Sequence, residues 1–133
     1  MTIQFSRRLA IVAGILAPLA ETIRRWSTWK QSPANLFDDY IMGAFLLYGA
    51  WRLGKDLRNG QRVLAAAWAF ACGLGYYSFF GQLQSMRAGE LDPAPIASAW
   101  VLVIKGIAVT LAIVALLVSL KRLPVEEPRP VDP

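Results

Sequence analysis

The residues of this chain that could do chemistry are few, and they stand inside or beside apolar stretches. They are three carboxylates, Glu21, Asp38 and Asp39, one lysine, Lys105, and the run Tyr76-Tyr77-Ser78. Carboxylates, an ammonium group and phenols gathered in one place can form a buried ion pair, relay protons, or hold a small cation or substrate. What is missing narrows the choice. The chain has no histidine and a single cysteine, Cys72, which lies in an apolar run and reads as an unreactive small hydrophobe. Intrachain disulfides, CxxC redox chemistry, Cys/His zinc sites, histidine-ligated haem and imidazole acid–base catalysis are excluded together. No catalytic, metal-binding or nucleotide-binding signature is present, so the expectation is a non-enzymatic protein without cofactor or metal. A carboxylate- and tyrosine-based enzyme acting on lipids remains as a minor alternative.

The elements that must position these groups are membrane helices. Hydrophobic residues make up 56% of the 133 residues, above the roughly 45–50% apolar usage of soluble domains. The net charge of +5 arises from basic residues between the apolar runs, where they act as topology signals and lipid-headgroup contacts rather than as a nucleic-acid surface. The first run, Leu9 to Ala20, follows Arg7-Arg8. Ser6-Arg7-Arg8 ahead of a short apolar core has the outline of a secretory or twin-arginine signal. However, LAIVAG lacks the hydrophobic-plus-lysine continuation and Pro18 stands near Ala20, so a retained helix is expected. Gln31 to Asn35 reads as a turn before the second run, Leu36 to Leu53, and Lys55 to Gln61, KDLRNGQ, as a loop. Val63 to Met86 carries no charge over 24 residues, enough to span a bilayer core of about 30 Å. AGELDPAP, residues 88–95, breaks the chain before the fourth run, Ile96 to Leu120.

The expected fold is therefore all-α: an integral membrane four-helix bundle, up-down-up-down, with helices at about 7–29, 36–54, 62–86 and 95–121 in a transmembrane domain of residues 1–122. Residues 123–133, proline-rich and charged, are expected to be a disordered cytoplasmic tail. Nine Lys and Arg would fall on the side of Arg7, Arg52 and Lys121, against four on the side of Arg24 and Arg87, which places both termini in the cytoplasm. No internal repeat is apparent.

A depth count ties the reactive residues together. At about 1.5 Å per residue from the cytoplasmic basic residues, Glu21 stands about 21 Å up, Asp39 about 20 Å with Asp38 a step higher, and Lys105 about 24 Å. The third helix reaches this level at Gly75 to Ser78, bringing Tyr76, Tyr77 and Ser78 to one polar layer. Glu21 has Arg24 and Arg25 at i+3 and i+4 and can be neutralised on its own helix. Asp38 and Asp39 suit the start of the second helix, where carboxylates cap free amides. Lys105 has only apolar helical neighbours, so it either snorkels or pairs with an acid of another helix; pairing with Asp38, Asp39 or Glu21 is the expectation.

Small side chains form a packing stripe on each of the last two helices: Ala67, Ala71 and Gly75 on the third, Ala108, Ala112 and Ala115 on the fourth. Such stripes let membrane helices approach closely, whereas the opposite face of the fourth helix, from Trp100 through Ile107 to Val118, is bulky and suits lipid. Trp26, Trp29 and Trp51 read as interfacial anchors. The expected location is a bacterial inner (plasma) membrane, with lipids as partners and either a larger membrane complex or further copies of the chain beside it. Two functions fit: an accessory or scaffold subunit, and a homo-oligomeric transporter or channel that uses the charged layer.

Overall fold

The computed structural model describes residues 2–24, 33–90 and 97–121, which form four α-helices: α1 (Ile3–Arg24), α2 (Pro33–Lys55), α3 (Leu57–Arg87) and α4 (Ser98–Ser119). Three of them, α1, α3 and α4, are long and apolar enough to cross a membrane. The 23-residue α2 is long enough but falls outside that group, because Asp38 and Asp39 at one end and Arg52 at the other shorten its apolar stretch.

Several helix ends differ from the sequence expectation, each for a local reason. Pro33, expected in a turn, is the first residue of α2, a position that suits its fixed φ and missing N–H. Asp38 and Asp39 consequently lie in the second turn of α2 rather than at its cap. The KDLRNGQ segment, expected as a loop, is helical on both sides of the single residue Asp56. The Asp56 carboxylate accepts from the backbone N–H groups of Arg58 at 3.1 Å and Asn59 at 3.5 Å, and so starts α3 five residues early. Gly60 serves the hairpin by its small size: a Cβ there would lie 2.2 Å from Leu53 Cα, so only glycine lets α3 come this close to the end of α2. At the far end of α3, Gly89 adopts φ +73°, and Glu90 N–H closes onto the Ser85 carbonyl at 3.0 Å. The expected extension of α1 to residue 29, the anchors Trp26 and Trp29, and the tail lie outside the described residues, while the fourth helix begins at Ser98 rather than at 95, with Ala97 extended at its cap.

Contacts fix how the helices pack. Arg7 Nε donates to the Ala50 carbonyl at 3.0 Å, while Gly14 and Pro18, further along α1, rest on Gly43. Gly49 meets Leu64 and Leu53 meets Gly60; Gly75 meets Val109, and Gln61 reaches the end of α4 at Ser119. Numbers rise on one helix as they fall on the next, so successive helices lie antiparallel. Pro18 contributes to the first of these interfaces. Its ring supplies no N–H to the Gly14 carbonyl, and Gly43 packs against that oxygen.

The core is built from Ala10, Leu46, Leu64 and Trp68 together with the small residues of the stripes. Ala67, Ala71, Ala112 and Ala115 are buried. Gly75 packs so tightly on α4 that a Cβ would stand 2.8 Å from Val109 Cγ2. Ala108, on the same face, is exposed and lines a cavity among the helices. The bulky face holds at Trp100, Ile104, Ile107 and Leu111, all exposed, but fails at Val118, which is buried. The cause is α1, whose first turn closes over the last turn of α4: Ser6 Oγ lies 2.6 Å from Ser119 Oγ and 3.2 Å from the Ala115 carbonyl.

Replacing Gly60 with leucine forces the α2–α3 hairpin apart and is expected to cost about 1–3 kcal/mol or more. Gly73, whose Cβ position is open, accepts alanine without such loss. Thermal unfolding of the two variants in detergent, followed by circular dichroism, checks both statements.

Candidate polar cavity

A cavity of about 480 Å³ lies among the four helices. Its polar lining consists of Glu21 and Arg24 from α1, Asp39 from α2, Ser78 from α3 and Lys105 from α4. Apolar side chains, among them Leu46, Trp68, Ala71 and Ala112, form the rest. Chain order places the polar group toward the C-terminal end of α1 and the N-terminal halves of α2 and α4. The apolar lining continues toward the end closed by Ser6 and Ser119.

The hub of the polar end is Gln82, which is buried. Its Oε1 accepts from Arg24 Nη2 at 3.3 Å and from Lys105 Nζ at 3.3 Å, tying α1, α3 and α4 at one atom. Arg24 also meets the Glu21 carboxylate at 2.6 Å, the i,i+3 neutralisation the sequence allowed. An amide is suited to this position: its carbonyl takes hydrogen bonds from two cations without bringing another ion out of water. Gln82 stands four residues past Ser78 on the face of α3 that carries Ala71 and Gly75, a position that spacing gives without revealing its acceptor role.

The residues expected in the polar layer divide. Glu21, Asp39, Ser78 and Lys105 share the cavity lining. Asp38 is exposed and is not part of that lining. Tyr76 and Tyr77, expected beside the charges, turn outward at 63% and 76% exposure. Helical periodicity is the reason: Ala71, Gly75, Ser78 and Gln82 follow steps of four, three and four along one face, and the two tyrosines stand about 100° and 200° from Gly75. Tyr76 stacks instead on Phe80, with ring centroids 4.8 Å apart.

A second polar cluster, which no spacing in the sequence announces, closes the opposite end. Ser119 Oγ donates to the Ala115 carbonyl at 2.8 Å as well as meeting Ser6. Gln61 Nε2 reaches the Ser119 carbonyl at 2.8 Å and also the Lys121 carbonyl, satisfying orphan acceptors at the C-terminus of α4. Its work is structural, since every group in it is engaged in joining helices. Among the described residues there is no group of three His, Cys, Asp or Glu able to hold a metal ion.

Gln82→Leu removes the shared acceptor and is expected to cost about 1–3 kcal/mol. Lys105→Met is expected to lower thermal stability as well, and the double variant to cost less than the two singles combined by about 0.6 kcal/mol, a typical coupling for an interhelical hydrogen bond in a membrane protein. Strict additivity in thermal unfolding would show that Lys105 and Gln82 do not act together.

Comparison of the chain with protein-family models, with curated proteins and with solved structures finds no match.

Proposed function

We propose that this chain is a small, non-enzymatic, multi-pass membrane protein that acts as an accessory or scaffold subunit. In this reading all four helices cross the membrane up-down-up-down, with both termini cytoplasmic in a bacterial inner membrane. α2 crosses by setting its aspartates toward the outer surface and Arg52 and Lys55 toward the inner one. The observation that carries the proposal is the outward aromatic face of α3, where Tyr76, Tyr77 and Phe80 are exposed side by side. Aromatic residues with a polar tip favour interfaces that are apolar at one end and wet at the other, and a neighbouring helix supplies hydroxyl partners that lipid chains do not.

A second reading, a homo-oligomeric transporter or channel, draws on the common cavity of Glu21, Asp39 and Lys105. Two experiments separate them. Gentle purification from native membranes is expected to bring down a stoichiometric partner, and Tyr76→Ala combined with Tyr77→Ala to release it. Proteoliposomes are expected to show no flux of protons or small cations; flux abolished by Glu21→Gln and Asp39→Asn would transfer the assignment to the transporter.

A further inference from the structure

We infer that the cavity is a lateral lipid site, in which a zwitterionic phospholipid from the surrounding bilayer lays an acyl chain between α1 and α4 with its head group at the polar end. The route of entry follows from how the helices meet. α1 and α4 are joined at Ser6, Ala115 and Ser119, and elsewhere touch far less than α1 touches α2. Ile23 of α1 and Ile104 of α4, 62% and 55% exposed, nevertheless line the cavity, so its wall is continuous with the outer surface of these two helices. Both belong to helices apolar enough to cross a membrane, and what lies against that surface in a bilayer is lipid.

The lining matches this occupant in shape and in charge. Its volume lies within the roughly 300–1,000 Å³ range of small-molecule sites. Beneath the polar end, Ala17, Ala71, Ala108 and Ala112 keep the walls back by their small size. The polar end carries two cations, Arg24 and Lys105, and two anions, Glu21 and Asp39, with no net charge. A head group bearing one phosphate and one ammonium adds no net charge to this balanced set, whereas a purely anionic head group adds a negative charge beside Glu21 and Asp39. The deep wall adds Trp68, 2% exposed, whose indole Nε1–H has no acceptor among the described residues.

Trp68 provides the test. The full chain with Trp26, Trp29, Trp51 and Trp100 replaced by phenylalanine keeps Trp68 as its one indole, and is reconstituted in vesicles of phosphatidylcholine or phosphatidylglycerol carrying brominated acyl chains. Bromine quenches indole fluorescence at short range. The inference rests on the membrane placement proposed above, and vesicle flotation reports failure of insertion separately from failure of quenching. In brominated phosphatidylcholine, Trp68 is expected to be quenched, and Ala108→Phe or Ala17→Leu, which fill the cavity from opposite walls, to remove about half or more of that quenching, because a filled pocket excludes the chain. Either filling variant suffices if the other fails to fold by circular dichroism. Absence of quenching in the inserted protein, or quenching that both filled variants retain in full, overturns the lipid site. Equal quenching by the two lipids overturns the zwitterionic assignment.

Discussion

Four ionisable side chains set among apolar helices dominate this structure, because an ion held away from water is tolerated only when it is paired or hydrogen-bonded. Glu21, Arg24, Asp39 and Lys105 come from three helices, and the fourth contributes Gln82 as a neutral acceptor between the two cations. This requirement orients every helix: α1 must present Glu21 and Arg24, α2 Asp39, α3 Gln82 and α4 Lys105 to one volume. The remaining faces are then free to be apolar. The small residues of α3 and α4 allow the approach that these contacts need, and the antiparallel course of successive helices brings the polar positions to one end.

The other end obeys a different constraint. There, hydroxyls and an amide meet backbone carbonyls, and the contacts are short and neutral: Ser6 with Ser119 and Ala115, Gln61 with the last carbonyls of α4. The bundle is thus pinned at one end by neutral hydrogen bonds and tied at the other through Gln82, where Glu21, Arg24, Asp39 and Lys105 line the cavity.

Much of this was legible in the residues. Apolar runs mark all four helices, that of α4 interrupted by Lys105, and counting along each helix from its basic end puts Glu21, Asp39 and Lys105 near one height. The count located Tyr76 and Tyr77 by height alone, and height says nothing of direction; their offset from the Gly75 and Ser78 face sends them outward. Asn59-Gly60 misled in a related way. Asparagine followed by glycine is a turn signal in isolation, but here the Asp56 carboxylate caps α3 and Gly60 is required for contact with Leu53. The Ser6–Ser119 closure was not legible because it joins residues 113 positions apart, through hydroxyls that carry no periodic signal.

On the proposed membrane placement, the one-residue connection at Asp56 bears on how the chain enters a bilayer. Leu53 and Gly60 are in contact across it, so the end of α2 packs directly on the start of α3. α2 by itself is less apolar than α1, α3 or α4, because Asp38, Asp39 and Arg52 stand within its length. α3 has apolar length to spare. On that placement the strongly apolar α3 and the weaker α2 would enter together as one hairpin.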